Sequence, residues 1–72
     1  MREGVLIYDH ESGRMDIRFD LLDYYGGLHC GECFRVYDGK WISARLEYDA
    51  GWVLVCSGQV VPIAYGCKVE LL

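Results

Sequence analysis

The sequence predicts an all-β fold, with five or six short antiparallel strands in a meander that curls into a small half-open barrel. Apolar and polar residues alternate with a period of two in most segments, and no segment carries apolar residues at helical spacing over about 11 residues. Nine glycines against one proline indicate many tight turns. At 72 residues the chain has room for one domain, residues 1–72, with one core.

The first predicted strands form a hairpin. Residues 5–8 are apolar, residues 9–13 form a polar turn, and residues 14–20 alternate, with Met15, Ile17 and Phe19 on the face predicted to point inward. Residues 21–27 are irregular and predict a loop. Residues 28–30 and 33–37 are then predicted to be strands joined by a type II′ turn at Gly31 and Glu32.

The second half continues the same pattern. A type I′ turn at Asp38 and Gly39 should join residues 33–37 to residues 40–48. Residues 52–56 are apolar enough for a central strand, between predicted turns at 49–51 and 57–59. Pro62 predicts an irregular or 3₁₀ passage over 60–65, and residues 67–72 close the domain as a last strand. The predicted inward face of residues 40–48 is Ile42, Ala44, Leu46 and Tyr48, which leaves Trp41 partly exposed.

Charge argues against a nucleic-acid partner. The chain has seven basic and eleven acidic residues, a net charge of −4, and no two basic residues are adjacent, whereas phosphate backbones need clustered Lys and Arg. No basic-then-apolar stretch begins the sequence, and no apolar run approaches the roughly 20 residues of a membrane helix. We therefore expect a cytoplasmic protein without a membrane partner, with reduced cysteines.

Four cysteines raise the question of a metal. Cys30 and Cys33 have the two-residue separation that lets two thiolates share one tetrahedral zinc ion, and Cys56 and Cys67 could complete the site from adjacent strands. His29 could replace one of them. The competing interpretation is that Cys30 and Cys33 flank a tight turn and that Cys56 and Cys67 are ordinary core residues. Zinc is the one cofactor that the sequence suggests.

The sequence shows no arrangement of residues that would support catalysis, and we predict a protein that is not an enzyme. The carboxylates Asp16, Asp20 and Asp23 match no calcium loop and are interpreted as a solvated strand face. The aromatic residues favour a binding surface, because exposed aromatic clusters commonly mark interfaces. Trp41 is expected on the outer face, beside Tyr24, Tyr25 or Tyr37.

Residues 24–34 read YYGGLHCGECF, and Gly39-Lys40-Trp41, residues 45–48 (RLEY) and Trp52 follow. This pattern, which spans nearly the whole chain, resembles a family of short uncharacterised bacterial proteins, classed as a domain of unknown function and common in Gram-positive bacteria and their mobile elements. The resemblance implies a bacterial cytosolic protein and carries no established activity.

Residues 6–9 (LIYD), Trp41, and Pro62 with Tyr65 are similar to sequence features of SH3 domains. That resemblance implies an SH3-like barrel in which such positions form an aromatic groove for proline-rich peptides. His10 departs from the SH3 pattern, which has a second tyrosine there.

These observations lead to one functional prediction and two alternatives. The prediction is a non-enzymatic module that contacts another protein, or a second copy of itself, through an aromatic surface. The binding residues proposed for it are Tyr8, Tyr24, Tyr25, Trp41, Pro62 and Tyr65. The alternatives are a zinc-stapled structural domain, through Cys30 and Cys33 with Cys56 and Cys67, and a nucleic-acid accessory protein of a mobile element.

Overall fold

Extended backbone runs through nearly every segment in which apolar and polar residues alternate. The computed structural model describes residues 1–72. It forms eight strands and no helix: β1 (Arg2–Asp9), β2 (Arg14–Asp20), β3 (Asp23–Tyr24), β4 (Cys33–Tyr37), β5 (Trp41–Tyr48), β6 (Trp52–Cys56), β7 (Gln59–Pro62) and β8 (Lys68–Leu71). The all-β prediction is confirmed. The predicted number of strands, five or six, was wrong, because β3 and β7 are too short for an alternation with a period of two to be recognised.

The strands form one antiparallel sheet in the order β3-β2-β1-β8-β4-β5-β6-β7. The last strand in sequence lies inside the sheet, where it pairs with β1 through Gly4↔Val69 and with β4 through Val36↔Val69. The sheet is therefore not the simple meander that was predicted. Its two edges, β3 and β7, do not pair with each other, so the sheet does not close into a barrel.

Residues 25–32, called the bridging loop below, were predicted to contain a strand and a hairpin turn, and the structure shows a crossing segment instead. Its Tyr25 and Leu28 N–H groups donate to the carbonyl oxygens of Ile17 and Met15 on β2, at 2.8 and 2.7 Å. At its other end, Gly31 N–H donates to Leu46 O on β5 at 2.7 Å. The loop thus links β2 to β5, and its apolar residue Leu28 is completely buried between them.

The core lies on the inner face of the curled sheet. Ten buried hydrophobic residues form it: Leu6, Met15, Ile17, Leu28, Phe34, Val36, Ala44, Leu46, Leu54 and Val69. The predicted inward direction of Met15 and Ile17, and of Ala44 and Leu46, is confirmed. Tyr48 is an exception at 59% exposure, because it lies at the end of β5, where its ring packs edge-on against Trp52.

One turn differs in type from the sequence prediction. The Asp38–Gly39 turn is not of type I′, because that type needs positive φ at both central residues and only Gly39 has it, at 71°. A three-residue connection joins Tyr37 to its partner Trp41. The two-residue turn with positive φ at both positions is Ser57–Gly58, at 52° and 77°.

Pro62 lies in β7, not in the irregular passage that was predicted. Proline is tolerated there because β7 is an edge strand and the missing N–H costs no ladder hydrogen bond. The irregular passage begins one residue later, at Ile63, and leads into β8.

A side-chain hydrogen bond also connects β6 to the β1–β2 turn. The Trp52 Nε1–H group on β6 donates to Gly13 O, in the β1–β2 turn, at 2.8 Å. The structure contains no long apolar helix of the kind that crosses a membrane. The cytoplasmic location stays a prediction.

Candidate binding site

A cleft of about 500 Å³ lies where the β1–β2 hairpin meets β3. Its lining consists of two tyrosines, three carboxylates, a histidine and an isoleucine: Tyr8, Tyr24, Asp9, Glu11, Asp16, His10 and Ile7. We call it the acidic–aromatic cleft. Its residues come from the end of β1, the following turn, β2 and β3, so that a local hairpin and one short edge strand build the whole site.

The turn residues of this cleft are held by short-range hydrogen bonds. The Asp9 carboxylate accepts a hydrogen bond from the Ser12 hydroxyl at 2.8 Å and another from the Glu11 N–H at 3.1 Å. These bonds, the Ser12 bond foremost, hold the pKa of Asp9 below its ordinary value, so the carboxylate is ionised at neutral pH. The Tyr8 ring packs edge-on against His10 with their centroids 4.8 Å apart.

Asp16 connects the cleft to the bridging loop. Its Oδ1 atom accepts hydrogen bonds from the N–H groups of Ile17, Gly26 and Gly27, at 2.8, 3.0 and 3.0 Å. The residue is only 7% exposed, which corrects its interpretation as part of a solvated strand face. A buried carboxylate needs such partners, and here the partners are the N–H groups that begin the bridging loop, next to Tyr24.

The lining of the cleft carries negative charge without a matching cation. Three carboxylates line it, and no lysine or arginine does. The basic residue opposite Asp9 in the β1–β2 register is Arg14, which is not among the residues that line the cleft. The two tyrosine rings offer negatively polarised faces as well. The arrangement is suited to a cationic group.

The six predicted binding residues do not form one surface. Tyr8 and Tyr24 share the acidic–aromatic cleft, whereas Tyr25 lies beside Glu32 in the bridging loop, and its pKa is raised by a hydrogen bond with that carboxylate and by the carboxylate's charge. Trp41 packs edge-on against Tyr37, as one of the predicted neighbours, with 5.3 Å between ring centroids. Tyr65 is 66% exposed and lines no cavity.

Pro62 lines a separate apolar cavity of about 530 Å³ between β4, β6 and the segment leading into β8. Cys56 and Cys67 line the same cavity, and burial raises the pKa of the Cys67 thiol. Cys30 and Cys33 are exposed near the end of the bridging loop, and all four cysteines are free. No three His, Cys, Asp or Glu residues are grouped so as to hold a metal ion, so the structure does not bring together the four cysteines of the alternative zinc-stapled interpretation.

Sequence reasoning missed the acidic half of the cleft. Asp9, His10 and Glu11 were interpreted only as a polar turn, although two acidic residues within three positions of a tyrosine were a usable signal. The burial of Asp16 had no local signal, because its partners are ten and eleven residues further along the chain.

Fold and cleft together define a small, helix-free antiparallel β domain with an acidic, tyrosine-lined cleft. The chain belongs to the family described as "Domain of unknown function (DUF5348)", whose model matches residues 4–71. The expectation of an uncharacterised family is thereby confirmed.

The chain is also similar to a protein from Ruminococcus gnavus, a structural genomics target with a crystal structure, at 51% sequence identity and a TM-score of 0.86. That similarity covers 97% of this chain and 100% of the other. None of the curated proteins matches.

Proposed function

We propose that this domain is a non-enzymatic protein-interaction module whose acidic–aromatic cleft receives a lysine or arginine side chain of a partner protein. The observation that carries the proposal is the joint presence of two tyrosines and three carboxylates, with no lysine or arginine, in one cleft. Neither feature would suffice alone, since acidic turns and exposed tyrosines are each common on protein surfaces.

Charge complementarity supports a basic occupant. The whole chain has a net charge of −4, which favours the approach of a cationic partner. A cation over a tyrosine face gains about 0.5–2 kcal/mol, depending on how far it is desolvated. Tyr24 is 45% exposed and is therefore accessible to a side chain that arrives from solvent, and the exposed Glu11 can pair with its charge.

Trp41 and Pro62, which were predicted to share a binding surface with Tyr8, lie outside the acidic–aromatic cleft. An SH3-like groove would need Tyr8, Trp41 and Pro62 along one surface, whereas Trp41 packs on Tyr37 and Pro62 lines the apolar cavity. The likeness to SH3 barrels therefore adds nothing to the choice of partner. Proline-rich peptides are not the expected ligand.

Titration of a ¹⁵N-labelled sample with short blocked peptides that contain one lysine or one arginine tests the proposal. We expect saturable shifts of the amide signals of residues 8–11 and 24, and binding that weakens as salt is raised. A matched glutamine peptide should produce no shifts. Tyr24→Ala and Glu11→Gln should each weaken binding, whereas Tyr65→Ala, which removes an exposed tyrosine outside the cleft, should not.

Other occupants give different results in the same experiment. Shifts produced by magnesium chloride or by free methylamine as strongly as by the peptides would assign the cleft to an ion or a small amine. Shifts that depend on protein concentration, together with a dimer in sedimentation, would assign it to a second copy of the chain. Either outcome, or no shifts at all, would overturn the proposed partner.

A further inference from the structure

A second cleft, on the outer face of the sheet, has the opposite charge. It has a volume of about 630 Å³ and lies over β4 and β5, beside the β6–β7 turn. Its lining includes two arginines and two serines but no aspartate or glutamate: Arg35, Arg45, Ser43 and Ser57. In a chain that has eleven acidic and seven basic residues, a cleft whose lining includes two arginines and no aspartate or glutamate is a local exception.

Arg35 is held in place with unused donors. Its Nη2 atom lies 2.6 Å from Oε1 of Glu70, which is only 4% exposed, so the guanidinium is anchored from one side. The Nε atom of Arg35 is buried and has no hydrogen-bond acceptor. A guanidinium carries five N–H donors, and a single contact with one carboxylate oxygen leaves most of them unsatisfied.

Arg45 faces the same cleft from the neighbouring strand. Ser43 lies opposite Arg35 in the β4–β5 register, and Arg45 lies two residues further along β5, opposite Cys33. Arg35 and Arg45 are therefore diagonal neighbours on one face of the sheet, with their Cβ atoms about 7 Å apart. Arg45 donates from Nε to Glu47 at 2.6 Å, which leaves its two terminal amino groups free.

Neutral donors complete the arrangement. Ser43 and Ser57 line the cleft, and both carry hydroxyl groups that can donate a hydrogen bond. The Gly58 N–H, in the turn at the rim, also makes no backbone hydrogen bond. Two guanidinium groups, two hydroxyls and a turn amide around one space are the donor set that proteins use to bind carboxylate and phosphate oxygens.

We propose that this outer cleft, between Arg35 and Arg45, binds the oxyanion group of a small ligand, either a carboxylate or a phosphate. The oxyanion accepts hydrogen bonds from the free donors of both guanidinium groups and from Ser43. The site is separate from the acidic–aromatic cleft, shares no residue with it and does not depend on the proposed function.

The test uses inorganic phosphate and sodium acetate as probes, with sodium chloride at matched ionic strength as the reference. We expect saturable shifts of the Arg35 and Arg45 Nε–H signals and of the Gly58 amide, with a dissociation constant on the order of 1–10 mM, as befits a fragment-sized ligand. Phosphate acting alone would assign a phosphate ligand, acetate acting alone a carboxylate ligand, and both together a general oxyanion site.

Arg45→Gln is the informative variant, because the Arg45 side chain is half exposed and is not part of the hydrophobic core. It should weaken binding about tenfold, which corresponds to one charge-assisted hydrogen bond. Arg14→Gln is the matched control, since it removes an equally exposed arginine that lines neither cleft, and it should leave the affinity unchanged. Shifts of equal size with chloride, or equal effects of the two variants, would show only charge screening and overturn the proposal.

Discussion

Arg35 on β4 and Glu70 on β8 lie opposite each other in the strand register and form an ion pair with 2.6 Å between Nη2 and Oε1. Glu70 also lies opposite Glu3 on β1, so β8 presents a nearly buried carboxylate between an acidic and a basic neighbour. This is the strand that joins the β1–β3 part of the sheet to the β4–β7 part. The ion pair thus lies at the junction on which the continuous sheet depends.

Removing one partner of this pair should be more harmful than removing both. Arg35→Gln leaves Glu70 buried beside Glu3 without its cation, and we expect a loss in the free energy of unfolding on the order of 3 kcal/mol. The double variant Arg35→Met with Glu70→Leu should lose much less, because no unpaired charge remains. Urea unfolding of the single and double variants measures the coupling, and additive losses would contradict it.

Asp16 is expected to hold the start of the bridging loop. Asp16→Ala removes the acceptor of three backbone N–H groups and should lower the free energy of unfolding by about 2 kcal/mol. Asp20→Ala on the same strand is the control, since Asp20 is exposed and accepts only the Leu21 N–H, and it should cost about 0.5 kcal/mol or less. Equal losses in the free energy of unfolding for the two variants would show that Asp16 does not stabilise the bridging loop.

Gly4 should tolerate no side chain. A Cβ atom at this position would lie 2.6 Å from the Arg18 carbonyl oxygen and 2.8 Å from Cγ2 of Ile17, which is part of the core. Because the first of these neighbours is backbone, Gly4→Ala should separate β1 from β2 locally and cost about 1–3 kcal/mol. Thermal unfolding measures the loss. Glu3→Ala, at the exposed adjacent position, provides the comparison, and an unchanged melting temperature for Gly4→Ala would contradict the close packing.

Trp52 ties β6 to the β1–β2 turn through a hydrogen bond that phenylalanine cannot make. Trp52→Phe keeps most of the apolar contact but removes the bond to Gly13 O, and it should cost about 1 kcal/mol. Trp41→Phe makes the same chemical change where the indole N–H has no partner within the chain, and it should cost less. Unfolding followed by circular dichroism measures the loss in the free energy of unfolding for both variants. A larger loss for Trp41→Phe would contradict a stabilising role of the Trp52 hydrogen bond.

The four cysteines should react in a definite order. Burial raises the pKa of Cys67, so its thiol stays protonated to a higher pH than an exposed thiol and forms less of the reactive thiolate at any given pH. Cys30 and Cys33 are exposed and should be alkylated by iodoacetamide first. Peptide mapping by mass spectrometry gives the order, and the difference should vanish in urea. Faster reaction at Cys67 in the folded protein would contradict the assigned burial.

The candidate sites were only partly visible in the sequence. Tyr8 and Tyr24 were selected as aromatic residues, and the structure brings these two together, but it places Trp41 and Pro62 elsewhere. The carboxylates that give the cleft its charge were not selected, because Asp9 and Glu11 were interpreted as a polar turn and Asp16 as part of a solvated strand face. The pairing of Arg35 with Glu70 joins positions 35 residues apart, which no local pattern records.

What the sequence determined by itself is local: extended backbone, the positions of most turns, and which side chains point inward. A period of two is a property of neighbouring residues, and Met15, Ile17, Ala44 and Leu46 are buried as that period requires. Tertiary structure alone decided that β8 lies between β1 and β4 and that residues 25–32 cross from β2 to β5. The order of the strands depends on which distant segments pack and pair with each other. The alternation of apolar and polar residues in a strand is the same for any pairing partner, so it does not record that order.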